Sequence, residues 1–189
     1  KNQVFFVQNY NFMKYLLLKP YRRISMNTIK TKWFDNISKD CPLSEYPRPQ
    51  LVRENWMCLN GQYDYAITSE NAEKPEKYDG KILVPFSVES AASGVQKSLN
   101  PTERLWYRRF FTLTDEFKGK RTLLHFDAVD WQCGIWVNSV LIGEHTGGYN
   151  PFYFDITDAL NDGENELIVK VYDPTDAGHQ QRDKQVRET

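Results

Sequence analysis

The sequence predicts an all-β fold: an antiparallel two-sheet sandwich of jelly-roll type, preceded by a poorly structured N-terminal extension. Three observations predict it. Short segments rich in aromatic and β-branched residues recur between turn-forming pairs, Asn60-Gly61, Asp79-Gly80, Lys118-Gly119 and Asp162-Gly163. Several of these segments alternate apolar and polar side chains, the two-residue period of a strand with one buried face. No stretch of helical length carries the 3.6-residue apolar period of a crossover helix, which excludes a parallel βαβ organisation. Two packed sheets then bury both apolar faces and limit exposed edges.

Residues 1–45 read as a basic, aromatic extension. Lys1, Lys14, Lys19, Arg22, Arg23, Lys30 and Lys32 fall within residues 1–34, which hold no acidic side chain. Clustered Lys and Arg attract phosphate, so attachment to nucleic acid or an acidic membrane is one reading of this arm. The preferred reading is a peripheral terminus, whose removal leaves the melting temperature nearly unchanged and which implies no nucleic-acid or membrane partner. Leu16, Leu17 and Leu18 are too short a run for a signal peptide, and no small-residue cleavage site follows them. The longest apolar runs are also far short of the roughly 20 residues of a membrane-spanning helix. The residues specify no compartment.

Pro42, Pro47 and Pro49 make an extended approach to the compact domain, placed at residues 46–176, with 177–189 as a linker. Strands are expected near 56–67, 81–86, 105–113, 122–129, 134–138, 140–144, 151–155 and 166–172. In Leu123–Val129 the residues Leu124, Phe126 and Ala128 face one side, and His125 and Asp127 the other. Leu167, Val169 and Val171 alternate with Glu166 and Lys170 until Asp173-Pro174, where proline ends the strand. The run LWYRRFFTL from Leu105 is large on both faces, so Arg108 and Arg109 must emerge at a rim, at an edge or beside a carboxylate. Asn138-Ser139 reads as a two-residue hairpin turn. Thr157–Leu160 is the one plausible helical turn, capped by Asp155 or Thr157.

Chemistry is harder to find. With 24 basic and 25 acidic side chains the chain is nearly neutral, and it has neither a G-x-S-x-G elbow nor a phosphate-binding glycine loop. Cys41, Cys58 and Cys133 form no C-x-x-C pair and permit at most one disulfide, while His125, His145 and His179 lack metal-ligand spacing. No metal site and no catalytic residue is assigned. Carboxylates are plentiful, yet no spacing singles out the opposed pair that glycoside hydrolysis needs. Trp106, Trp131, Trp136, Tyr149 and Tyr153 are conceivable platforms for a sugar ring, though aromatics in a β domain are more often core.

Five ordered pieces carry a resemblance: WMCLNGQYDYA from Trp56, KILVPFSVESAASGV from Lys81, RLWYRRFF from Arg104, LLHFDAVDWQCGIWVNSVLIGEHTGGYNPFYFDIT from Leu123 and ENELIVKVYDPTDAG from Glu164. Together they resemble the N-terminal sugar-binding domain of glycoside hydrolase family 2, the family of β-galactosidases, β-glucuronidases and β-mannosidases. The resemblance implies a galactose-binding-like jelly roll. It implies as partners a β-linked carbohydrate and, further along the parent enzyme, an immunoglobulin-like domain and a (β/α)8 barrel holding the two catalytic glutamates. Those glutamates lie outside this segment, which is therefore expected to be inactive alone and to help complete the barrel's substrate pocket. The alternative is a free-standing carbohydrate-binding module with no link to hydrolysis. By resemblance, Asp176 in DPTDAG is the substrate-binding candidate, reaching toward the sugar. No cofactor is expected in this segment, and sodium only with the complete enzyme. Asp183 stands where the family pattern has glycine, and the loop holding Glu89 and Ser90 is a further candidate for a place near the barrel.

Overall fold

The computed structural model describes residues 3–7, 30–46, 50 and 52–174. Ten strands run in chain order: Gln3–Val7 (β1), Trp56–Cys58 (β2), Gly61–Ser69 (β3), Gly80–Val84 (β4), Glu103–Thr112 (β5), Thr122–Phe126 (β6), Gln132–Val137 (β7), Val140–Thr146 (β8), Phe152–Asp155 (β9) and Glu164–Tyr172 (β10). They form a four-stranded sheet in the order β2-β1-β6-β9 and a six-stranded sheet in the order β4-β3-β5-β10-β7-β8. Every described pairing in the larger sheet is antiparallel. Among the described residues the helical pieces are single 3-10 turns, and no helix is long and apolar enough to cross a membrane. The all-β sandwich is the expected fold.

The period of two places the core between the sheets. Tyr63, Tyr107, Ile135, Leu167 and Val169 of the larger sheet meet Leu124 and Phe126 of the smaller one, all buried. At roughly 25 cal/mol per Å² of apolar area removed from water, this layer is the main stabilising contribution. β10 alternates as read, with Leu167, Val169 and Val171 in the core. Its Ile168 is buried on the opposite face, in a second cluster with Ala66 and Trp106.

That second cluster explains the run with large groups on both faces. Trp106 is buried under Tyr78 and Trp136, and its indole N–H donates to the Thr68 hydroxyl at 3.0 Å. Arg108 stands beside a carboxylate, its Nε and Nη2 at 3.1 and 2.9 Å from Asp64 Oδ2, while its guanidinium lies 4.0 Å from the Tyr78 ring centre. Lys81 closes on the other Asp64 oxygen at 2.6 Å. Burial pushes the Asp64 carboxyl up, but the hydrogen bonds from Lys81 and Arg108 outweigh it and hold the group below its ordinary value. Arg109 differs: Nη1 donates to the Asn60 carbonyl at 2.9 Å, a main-chain partner in place of a carboxylate.

The Asn138-Ser139 turn has positive φ at both residues, 49° and 67°, as a two-residue hairpin requires. Asn138 is held there by its own side chain, which donates to the Ala159 carbonyl and Asn165 Oδ1, both at 2.7 Å, and accepts from the Glu166 N–H at 2.9 Å. The expected helical turn is a 3-10 turn at Thr157–Ala159, where Asp155 receives both the Thr157 N–H (3.1 Å) and its hydroxyl (2.6 Å); it is not the one such turn, since others form at Phe34–Asn36 and Asp115–Phe117.

Two features depart from expectation. The segment expected as one strand over 56–67 is two, because the chain crosses from the smaller to the larger sheet at Leu59-Asn60. Within the extension, Gln3–Val7 forms a strand between β2 and β6, parallel to both, with Val4 opposite Trp56 and Leu123. These five residues are thus a central strand of the smaller sheet and not a peripheral terminus. Lys1, Lys14, Lys19, Arg22 and Arg23 lie outside the described residues.

Candidate functional site

β10 ends at Tyr172, and three loops converge there. The first joins β6 to β7 and carries Asp127, Asp130 and Trp131. The second follows β8 through Gly147, Gly148 and Tyr149. The third is the exit of β10, Asp173-Pro174. Main-chain bonds stitch them together: the Trp131 N–H donates to the Tyr172 carbonyl at 3.3 Å, and the Gly147 N–H to the Trp131 carbonyl at 2.7 Å. His145 stacks on Phe152, ring centres 3.9 Å apart, and its Nε2 is 3.2 Å from the Gly147 carbonyl.

Glycine makes this convergence possible. Gly147 has φ +127°, a backbone state that L side chains rarely adopt. At Gly148 the constraint is space: a Cβ there would lie 2.6 Å from Asp130 Oδ1 and 2.8 Å from its Cγ. The Gly147-Gly148 pair was the sequence signal for this close approach, since glycine marks places where backbone meets another chain segment. Sequence analysis did not single out the pair and so missed the contact.

Beside β10, the Arg104 guanidinium covers the Tyr172 ring at 3.4 Å and pairs with Glu70 at 2.7 Å, with the Arg104 side chain only 10% exposed. Pro174 is buried and Asp173 half-buried, so the exit is anchored up to the last described residue. Asp176, the substrate-binding candidate, lies outside the described residues, as do Asp183 and His179.

The aromatic candidates separate by exposure. Tyr149, on the rim, is 73% exposed, and Trp131 beside it is half-buried. Trp106 is 4% exposed and belongs to the second cluster with the half-buried Trp136, so neither presents an open face at the rim. Lys170 lies over both indoles, 5.4 and 5.8 Å from their centres. Tyr153 is 59% exposed on the smaller sheet, where it stacks on His125 at 5.1 Å.

A shallow cleft of about 560 Å³ is lined by Ile67, Asp79, Lys97, Ser98, Asn100 and Glu103. Its carboxylates are engaged by the chain itself: Asp79 accepts the Ile67 N–H at 2.9 Å, and Glu103 accepts the Asn100 N–H and side-chain amide at 2.7 and 3.0 Å. Neither is poised as a general acid or nucleophile. In the loop holding Glu89 and Ser90, the Ser90 hydroxyl donates to the Ser87 carbonyl at 2.8 Å and accepts the Ser93 N–H at 3.2 Å, a turn-forming role. Among the described residues no three His, Cys, Asp or Glu side chains are grouped to hold a metal.

The family model for glycosyl hydrolases family 2, sugar binding domain, matches residues 42–186. A β-galactosidase of Priestia megaterium is 35% identical over 171 residues, which cover 85% of this chain and 16% of that protein. A solved β-glucuronidase of Lactobacillus rhamnosus superposes with a TM-score of 0.51 at 30% identity, covering 61% of this chain and 20% of that one. A β-D-mannosidase of Dictyoglomus thermophilum does so with a TM-score of 0.50 at 26% identity, covering 62% and 15%. The chain spans between 6% and 16% of the length of the curated relatives it matches.

Proposed function

Because the chain belongs to glycosyl hydrolase family 2, in its sugar-binding domain, we propose that it is the accessory domain of a β-glycosidase, lending its rim to the substrate pocket of a catalytic barrel. The observation that carries this reading is the stitched rim at the end of β10, where main-chain bonds join Trp131 to Tyr172 and Gly147 to Trp131. A rigid rim can hold a loop at a neighbouring domain's pocket with little ordering cost on binding.

In this reading the partners are an immunoglobulin-like domain and a (β/α)8 barrel of the same enzyme. Asp176, two residues beyond the anchored Pro174, faces the sugar: a carboxylate accepts hydrogen bonds from sugar hydroxyls and can counter a hard cation such as sodium once the complete enzyme supplies further oxygen ligands. The substrate class is a β-linked hexoside or hexuronide, the range spanned by the names of the similar proteins.

Chromogenic β-galactosides and β-glucuronides test the reading. The purified 189-residue chain is expected to show no turnover, and a chain carrying the downstream barrel to hydrolyse one of them; turnover by the 189-residue chain alone overturns the accessory role. The exposure of Tyr149 favours a second reading, an independent carbohydrate-binding module. Calorimetry with β-linked galactosides, mannosides and glucuronides separates the two. Binding by the isolated chain that Tyr149→Ala abolishes supports the module, and silence toward all three supports the accessory domain.

A further inference from the structure

The segment that enters the sandwich is fixed to the start of β3 on both sides of a cysteine. Just before Cys41, the Asp40 carbonyl packs against the Cα of Gly61 so closely that no Cβ would fit. Just after it, the buried Pro42 offers its carbonyl to Asn60 Nδ2 at 3.0 Å. Residues 40 and 42 therefore abut residues 61 and 60, and this registration carries Cys41 to the end of β2, beside Cys58, close enough for the two thiols to influence each other. The entering turn is itself closed by the Cys41 N–H on the Ser38 hydroxyl at 3.3 Å. Both thiols are free and half-buried.

The third cysteine does not compete. Cys133 is 2% exposed in β7, in register with His145 of β8 and Val171 of β10, inside the larger sheet. β2 by contrast is an edge strand of the smaller sheet. A bond between residues 41 and 58 would tie that edge to the entering segment and close a short loop of chain.

We propose that Cys41 and Cys58 are a thiol pair that a small-molecule disulfide oxidises to a reversible clamp, locking the entering segment onto the edge of the sandwich. The Cys41 thiolate, on the outer segment, attacks one sulfur of the small disulfide, forming a mixed disulfide and expelling one small thiolate. The Cys58 thiolate then attacks the Cys41 sulfur, closing the protein disulfide and expelling the second. Two electrons pass from the cysteines to the small disulfide, and the two protons they shed are taken up by the released thiolates. The order follows from environment. Burial first, and then the neighbouring Cys41 thiol, push the Cys58 thiol up to about 12 against the lowering effects of the Asn60 main chain and Arg109, so Cys58 is the slower, resolving partner.

The test uses the 189-residue chain, reduced and then incubated with oxidised glutathione near pH 8. Peptide mapping after alkylation is expected to show a 41–58 linked peptide, loss of two thiols and a free Cys133. The melting temperature should rise by roughly 5–10 °C, and the closing rate by about tenfold per pH unit between about pH 7 and 9, as the thiolate fraction does. Cys58→Ser should stop at a glutathione adduct on Cys41 and show no thermal gain. Linked peptides involving Cys133, retention of all three thiols in the folded chain, or a wild-type chain that stops at the adduct would each overturn the proposal. The map of the wild-type chain decides even if the variant does not fold.

Discussion

The rim depends on a close contact that a single methyl group should break. Gly148→Ala introduces a Cβ at 2.6 Å from Asp130 Oδ1, 2.8 Å from its Cγ and 3.2 Å from its Cβ. Three heavy atoms below or near the closest observed approach mean that Asp130 must swing away or the loop must retreat. Backbone strain is not at issue, since Gly148 is not among the residues with positive φ, so the effect is steric alone. Overpacking of this kind costs about 1–3 kcal/mol. At roughly 2–4 °C per kcal/mol for a domain of this size, a central cost of about 2 kcal/mol lowers the melting temperature by about 4–8 °C. Gly163→Ala is the matched control: nothing lies within 4 Å of its Cβ, so it is expected to be neutral or to stabilise by up to about 1 kcal/mol through the unfolded chain.

The assay is thermal unfolding of both variants beside the wild type, with tryptophan fluorescence reporting on Trp131, whose main-chain N–H donates to the Tyr172 carbonyl. The fluorescence should shift in Gly148→Ala alone. On the proposed accessory role, the same variant in a chain carrying the catalytic barrel should raise KM more than it lowers kcat, as a group does that positions substrate without touching the reacting atoms. If Gly148→Ala melts within about 1 °C of wild type with unchanged emission, the loops are not locked against each other and the rigid-rim reasoning fails.

Two further perturbations test the frame around the rim. The Thr157 hydroxyl, Arg121 and the Thr157 N–H together lower the Asp155 carboxyl to about 2. A carboxyl lowered on folding contributes stability above its unfolded value near 4 that is lost as pH falls through about 2. The melting difference between wild type and Asp155→Asn should therefore be constant near neutrality and shrink between about pH 4 and 2, remaining small throughout because the pair with Arg121 is solvent-exposed; a difference that persists unchanged at pH 2 refutes the assignment. Deleting residues 1–7 strips β2 and β6 of a shared neighbour, leaving their ladder groups unpaired. A drop of several degrees is expected after the ordering entropy of β1 is set against its bonds, and an unchanged melting temperature would return this segment to the periphery.

How much of this was legible in the sequence follows from how local each feature is. The strands near 122–129 and 166–172 could be read because alternation is written within a few residues, and Leu124, Phe126, Leu167 and Val169 occupy the core as their period requires. The Asn138-Ser139 turn was equally local. The split at Leu59-Asn60 was harder: both sheets bury apolar side chains, so a strand that changes sheets keeps its composition, and Asn60-Gly61 was the one mark of the crossing. β1 carried less still, because parallel pairing with residues 122–126 is set by partners more than a hundred positions away, where a five-residue pattern has no reach. Arg108 was legible as a residue needing an edge, a rim or a carboxylate, but which of these, and Asp64 as the carboxylate, depended on the register that sets residue 64 opposite residue 108.

The candidate site divides along the same line. Asp176 rested on resemblance, whereas the loops that carry Trp131, Gly147 and Tyr172 are brought together by main-chain bonds between separate segments of the chain. Their composition alone, an aspartate before a tryptophan and two glycines before a tyrosine, is ordinary turn material. What turns it into a rim is that β7, β8 and β10 are neighbours in one sheet, so loops leaving the same end of adjacent strands must converge. A functional surface on a sandwich is thus fixed by strand order before any side chain is chosen, and Gly148 is the position where that order leaves its plainest requirement on the sequence.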